Sequence, residues 1–134
     1  MKRILPLSAL LLGVVLIATQ CTSKEGELHK KLKNMALELN KMGSSELDDH
    51  TRFDSAGVSP QNVFRYYYTV KNTNNPKELF DSTRVNIERK LGEAFSLNPD
   101  LQIFKENKLT IEYVYKDEGG NTVETIKMTP DKYK

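Results

Sequence analysis

The chain has no tryptophan, only two histidines and a single cysteine, and each scarcity closes off a class of function. One cysteine can make neither an internal disulfide nor a CxxC pair. A zinc site needs three or four convergent ligands, and His29 and His50 have no HxxxH or HExxH partner. The stretch Asp48, Asp49, His50 therefore reads as a solvated acidic turn, and neither a metal nor a cofactor is expected. There is no GxSxG turn and no glycine-rich phosphate loop. The paired carboxylates Asp48/Asp49 and Asp117/Glu118 fall in polar turns, too wet to raise a carboxyl pKa toward a general acid's. No enzyme is expected, and no small-molecule substrate is evident. Charge of one sign is missing too: Lys2 and Arg3 alone account for the excess of 20 basic over 18 acidic side chains. A chain without a net field or a Lys/Arg stripe gives no reason to expect nucleic acid as a partner.

What is present begins at the N-terminus. Lys2 and Arg3 precede an apolar run from Ile4 to Ile17, and short residues lead to Cys21, after which the chain turns polar at Thr22, Ser23, Lys24 and Glu25. This run is shorter than the ~20 apolar residues of a spanning helix and has the layout of an export signal. The abrupt polar change directly after the sole cysteine resembles a bacterial lipoprotein precursor. That resemblance implies residues 1–20 as signal peptide, Cys21 as the lipidated (palmitate-bearing) N-terminus, and 21–26 as a tether. Ala18, Thr19 and Gln20 fill the box before the cysteine, where a branched aliphatic residue and a small residue are usual. An ordinary cut after Ala18 or Ser23 is the alternative, and a retained short anchor a further one. Thr22 after the cysteine resembles the signal for outer-membrane delivery, so the expected location is the periplasmic face of the outer membrane.

Residues 27–134 read as one small α+β domain. Leu28, Leu32, Met35, Leu39 and Met42 recur at helical spacing, and Gly43 stops the helix. Ser44 to His50 reads as a loop. Thr51 to Val58 and Val63 to Lys71 read as a hairpin around Ser59-Pro60-Gln61-Asn62, with Phe64, Tyr66, Tyr68 and Val70 on one face and Arg65, Tyr67 and Thr69 on the other. Asn75, Pro76 and Glu78 open a second helix with an Asn75 cap, whose inward stripe is Phe80, Thr83, Ile87, Leu91 and Ala94 with Leu79 and Phe95 flanking. Pro99 to Lys105 is a short helical turn, Leu109 to Lys116 and Thr122 to Met128 a hairpin around Gly119-Gly120, and Thr129 to Lys134 a polar tail. The expected fold is helix, hairpin, helix, hairpin: an antiparallel sheet of about four strands with two helices on one face.

That order of elements, the Asn98-Pro99-Asp100-Leu101 break and the KDEGGNT turn together resemble the small lipoprotein pilotins of type II secretion. Those pilotins typically carry a cysteine pair tying the end of the second helix to the C-terminus, where Ser96, Leu97 and Lys134 stand here. The resemblance implies a membrane-anchored assembly factor for a secretion or outer-membrane component, with another envelope protein as partner. An immunity or inhibitor lipoprotein that neutralises a toxin at the envelope is the alternative class, and a purely structural lipoprotein a third. The partner is expected either in an apolar groove between a helix and the sheet or on the outer sheet face. On that face Arg65, Tyr67 and Val114 stand opposite the core and are the candidate contacts. Metabolic labelling with a fatty-acid analogue should mark the wild type and spare Cys21→Ser, and an unlabelled, soluble wild type would overturn the lipid anchor.

Overall fold

The computed structural model describes residues 8–133, with side chains from Lys24 onward; residues 1–7, the Cys21 side chain and Lys134 lie outside the described residues. The first helix, α1, is Ser8–Met42. It passes without a break through 22–26, expected as a tether; no proline stands there, and Gly26 alone costs a helix only ~1 kcal/mol. Among the described residues no helix is long and apolar enough to cross a membrane. Gly43 ends α1 at a φ of 78°, a backbone conformation that glycine adopts without strain.

Five strands follow: β1 Ser45–Asp48, β2 Thr51–Val58, β3 Phe64–Val70, β4 Ile111–Lys116 and β5 Thr122–Met128. They lie side by side in sequence order. The expectation of about four antiparallel strands is corrected in two ways. Ser45–Asp48, read as loop, pairs antiparallel with β2 as an edge strand. It has no apolar alternation to reveal it, because all four of its residues are exposed. Moreover, β3 and β4 run parallel, from Phe64 opposite Ile111 to Thr69 opposite Lys116, so the sheet is mixed. Parallel neighbours need a long crossover, and here it is helical: α2 Pro76–Leu97, a 3-10 turn Pro99–Leu101, then α3 Gln102–Glu106.

One core lies between the inner sheet face and these helices. Leu32 and Ala36 enter it from α1, Phe80 and Phe95 from α2, and Phe64, Ile111, Ile126 and Met128 from the sheet. Ile87 and Leu91 pack against its margin, half-buried, so the expected α2 stripe is anchored mainly by its two phenylalanines. The Asn75 side chain makes no cap bond; Pro76 opens α2, and the Asn75 carbonyl accepts from Leu79 N–H at 3.0 Å. Across the helix–sheet seam Glu124 accepts from Arg84 at 3.2 Å, and its carboxyl is held below the usual range, first by the Thr125 N–H and then by Arg84 and Lys77.

Two further features were not foreseen. The expected polar tail folds back as a 3-10 turn, Pro130–Lys132, and Tyr133 is buried. Its ring stacks on Phe95 with centroids 4.6 Å apart, while its hydroxyl donates to the carbonyls of Phe104 and Leu109. The second feature is Asn40, near the end of α1. Its amide donates to the Ala56 carbonyl at 2.9 Å and its oxygen accepts from Ala56 N–H at 2.7 Å. The β1–β2 register runs only from Ser45 opposite Phe53 to Asp48 opposite Thr51, so at Ala56 the Asn40 side chain supplies the partner that β1 does not reach. Asn40→Ala should therefore cost about 1–3 kcal/mol by leaving both backbone groups of buried Ala56 unpaired. Neighbouring exposed Lys41→Ala should stay within about 0.5 kcal/mol in the same urea unfolding experiment on the full chain in detergent.

Candidate functional site

Strand alternation and the parallel register bring four tyrosines together on the inner face. Tyr66 lies opposite Tyr113 and Tyr68 opposite Tyr115. The first pair stacks with centroids 5.2 Å apart and the second at 5.0 Å, and Phe53 of β2 meets the edge of Tyr68 at 5.7 Å. Such a ladder contributes through apolar burial and ring geometry together. Among the described residues no side-chain or backbone group hydrogen-bonds any of these four hydroxyls.

The helices leave parts of this ladder uncovered. Between α1 and the Pro99–Leu101/α3 segment lies a cleft of about 740 Å³, lined by Met35, Leu39, Met42, Leu101 and Ile103 and floored by Tyr66. Its rim is polar, with Lys31 and Glu38 on one side and Asn98 and Asp100 on the other. Met42, placed by spacing on the inward stripe of α1, is instead 80% exposed at the mouth of this cleft. The helix ends before the sheet can cover that residue. A smaller cleft of about 250 Å³ continues past Leu39 and Met42 toward Leu47, over Phe53 and Tyr68. A third, of about 350 Å³, runs between α2 and the turn after β1, with Asp48, His50, Ile87 and Tyr115 in its walls.

The outer face carries the three residues singled out by the sequence, and the register makes them neighbours: Tyr67 stands opposite Val114, and Arg65 opposite Glu112. This face is closed by charge. Arg65 donates to Glu112 at 2.8 Å, a bond that raises the guanidinium pKa further, and Lys127 approaches Glu112 from β5 at 3.8 Å. Arg52, Asp54 and Thr69 form a second cluster, with the Thr69 hydroxyl donating to Asp54 at 2.6 Å. The Lys116 ammonium lies over the half-buried Tyr67 ring at 5.0 Å, and Val114 keeps only 8% of its surface exposed. The expected excess of exposed apolar surface is therefore not on this face: alternation gives the side of the sheet but not the cross-strand ion pairs that cover it. A groove between a helix and the sheet was expected, but not the tyrosine that floors it. Its only signal was Tyr66 and Tyr68 on one strand and Tyr113 and Tyr115 on another, and it needed the parallel register to be seen. Among the described residues no group of three or more His, Cys, Asp or Glu could hold a metal ion.

Burial pushes the Tyr66 and Tyr115 hydroxyls up to about 12 and those of Tyr68 and Tyr113 higher still. Each pKa is raised above the ordinary ~10 of an unfolded tyrosine, so their contribution is intact below about pH 10. Above that the unfolded chain loses these protons first, and stability falls as pH rises toward the folded values. Thermal melts followed by circular dichroism should be flat from neutral pH to about 9.5 and then drop toward pH 12. The drop should be shallower in Tyr68→Phe/Tyr113→Phe, which retains the rings without the titrating groups.

Comparison with known proteins places this architecture. No curated protein matches the sequence. Among solved structures, a predicted secreted protein from Pseudomonas aeruginosa superposes with a TM-score of 0.70 at 15% identity, over 83% of this chain and 96% of that one. The type II secretion system pilotin AspS from Vibrio cholerae gives 0.58 at 13% identity, over 84% and 97%. The type 2 secretion system pilotin EpsS from Vibrio vulnificus gives 0.59 at 14% identity, also over 84% and 97%. At these identities the likeness is one of fold, and it is the pilotin architecture that the order of elements resembles. A family match covers residues 27–124, from the first stripe residues of α1 into β5. The chain therefore belongs to the family described as Domain of unknown function (DUF8479).

Proposed function

We propose that this chain is a non-enzymatic binding module of the cell envelope, an assembly factor of pilotin type that holds an amphipathic segment of another envelope protein. The observation that carries the reading is the cleft between α1 and the Pro99–Leu101/α3 segment. It is apolar along its length, polar at its rim and floored by the Tyr66 ring. From Lys31 to Met42 its α1 wall runs about 16 Å, room for three turns of a partner helix lying on its apolar stripe. The unbonded Tyr66 hydroxyl would meet a polar group at the partner's edge. Fold likeness to the two Vibrio pilotins supports a role in secretion. In this reading Cys21, on the same helix as the cleft, is the lipid anchor, and the partner meets the domain at the membrane. One acyl chain binds only marginally, so the anchor needs the two or more chains that a processed lipoprotein cysteine carries.

We prefer the cleft to the outer face because Arg65 and Val114 are already engaged there by Glu112 and its neighbours, whereas Met35, Met42 and Ile103 have open space before them. The immunity-protein alternative would use the same cleft against an incoming toxin, and a toxin gene beside this one would favour it. The test introduces a photo-crosslinking residue at Met35 or at Tyr67 in the full chain and irradiates intact cells. A single envelope protein should crosslink from position 35, and Met42→Asp/Ile103→Asp should reduce its co-purification at least tenfold. Crosslinks from position 67 alone would move the contact to the outer face, and none from either would overturn the reading.

A further inference from the structure

The edge at β1 differs from the edge at β5 in a way the cleft does not explain. At β5 the chain folds back, the Lys132 ammonium donates to the Lys127 carbonyl at 3.0 Å, and Ile126 and Met128 are buried. At β1 the strand pairs with β2 alone and all four of its residues are exposed, so its outer row of backbone donors and acceptors faces water. An unpaired edge can template another strand, and the shortness, charge and irregularity of this one restrict which strand it accepts.

Apolar surface lies directly beside that row. Leu47 is 57% exposed and, with Met42, borders the 250 Å³ cleft over Phe53 and Tyr68. A strand laid along β1 would turn alternate side chains onto Met42 and Leu47. The charge of the edge selects the occupant. Glu46, Asp48 and Asp49 stand at or just past β1, with Lys71 as a nearby cation, bonded to Glu46 at 2.6 Å. A second copy paired antiparallel on β1 would crowd Glu46, Asp48 and Asp49 of both edges into one short strip, and like charges on neighbouring strands repel. The irregular register between Glu46 and Asp48 limits pairing to a few residues, so apolar and charge contacts must supply the rest.

We propose that the β1 edge is a second docking surface, which takes an extended, basic segment of a partner protein by strand addition, with apolar side chains at alternate positions. It stands independently of the cleft reading, although the two clefts share Leu39, Met42 and Tyr66. The probe is a dye-labelled peptide Lys-Val-Lys-Val-Lys-Val, titrated by fluorescence anisotropy against the full chain in non-ionic detergent, with the Glu-Val repeat and an alternately N-methylated Lys-Val peptide beside it. Only the unmethylated basic peptide should bind saturably, and amide exchange at Glu46 and Leu47 should slow on binding. Glu46→Lys/Asp48→Lys, checked for folding by its melt, should weaken that peptide at least tenfold, while Met35→Asp in the larger cleft should change it less than twofold. Equal binding of the methylated peptide, equal binding to the charge-reversed variant, unchanged β1 amide exchange, or a β1-dependent dimer in sedimentation would each overturn the proposal.

Discussion

The parallel pairing of β3 with β4 is the constraint on which the rest of the molecule depends. It places Tyr66 beside Tyr113 and Tyr68 beside Tyr115, and neighbouring rings in equivalent positions stack. It also forbids a short connection. The chain must return to the starting end of the sheet before β4 begins, and α2 and α3 are that return path. Because the path crosses the inner face, α2 settles against β5 and α3 brings Phe104 onto Phe64 at 5.2 Å. The cleft walled by Leu101 and Ile103 is thus a by-product of the crossover, which lays its last turns opposite α1 with the aromatic ladder showing between them.

Legibility in the sequence followed burial. Phe64, Tyr66, Tyr68 and Val70 alternate with polar residues, and that period placed β3 on its correct face. Leu28, Leu32, Met35 and Leu39 did the same for α1. Ser45–Asp48 has no such contrast, since an edge strand wet on both sides carries no apolar period to read. Strand direction was hidden for another reason. Two hairpins predict their own internal pairing but say nothing about how they lie against each other, so antiparallel and parallel docking of β3 and β4 look alike from the residues. Asn40 and Tyr133 were invisible because each acts through long-range contacts, Asn40 with Ala56 and Tyr133 with Phe95, Phe104 and Leu109, that no local pattern announces. Of the candidate contacts, the register joins Tyr67 to Val114, while the cross-strand pair Arg65–Glu112 that shields them follows only from the unexpected parallel neighbour.

The two sides of the sheet thus solve opposite problems. Outside, long side chains of both signs lie across neighbouring strands and cover Val114 and the Tyr67 ring with their stems, as amphipathic side chains do when they spread over apolar surface. Individually such exposed pairs stabilise little, and their larger effect is to leave no sizeable apolar patch on a face without helices. Inside, the helices cover the apolar face only in part, and the remainder is left as clefts rather than filled by larger side chains.

The Phe95–Tyr133 stack ties the end of α2 to the C-terminal turn without a covalent bond. A ring stack backed by two hydrogen bonds forms as soon as the two segments meet, with no electron acceptor and no thiol oxidase in the path. With a single cysteine the chain can form no internal disulfide, so this clasp is one whose closure consumes no oxidant.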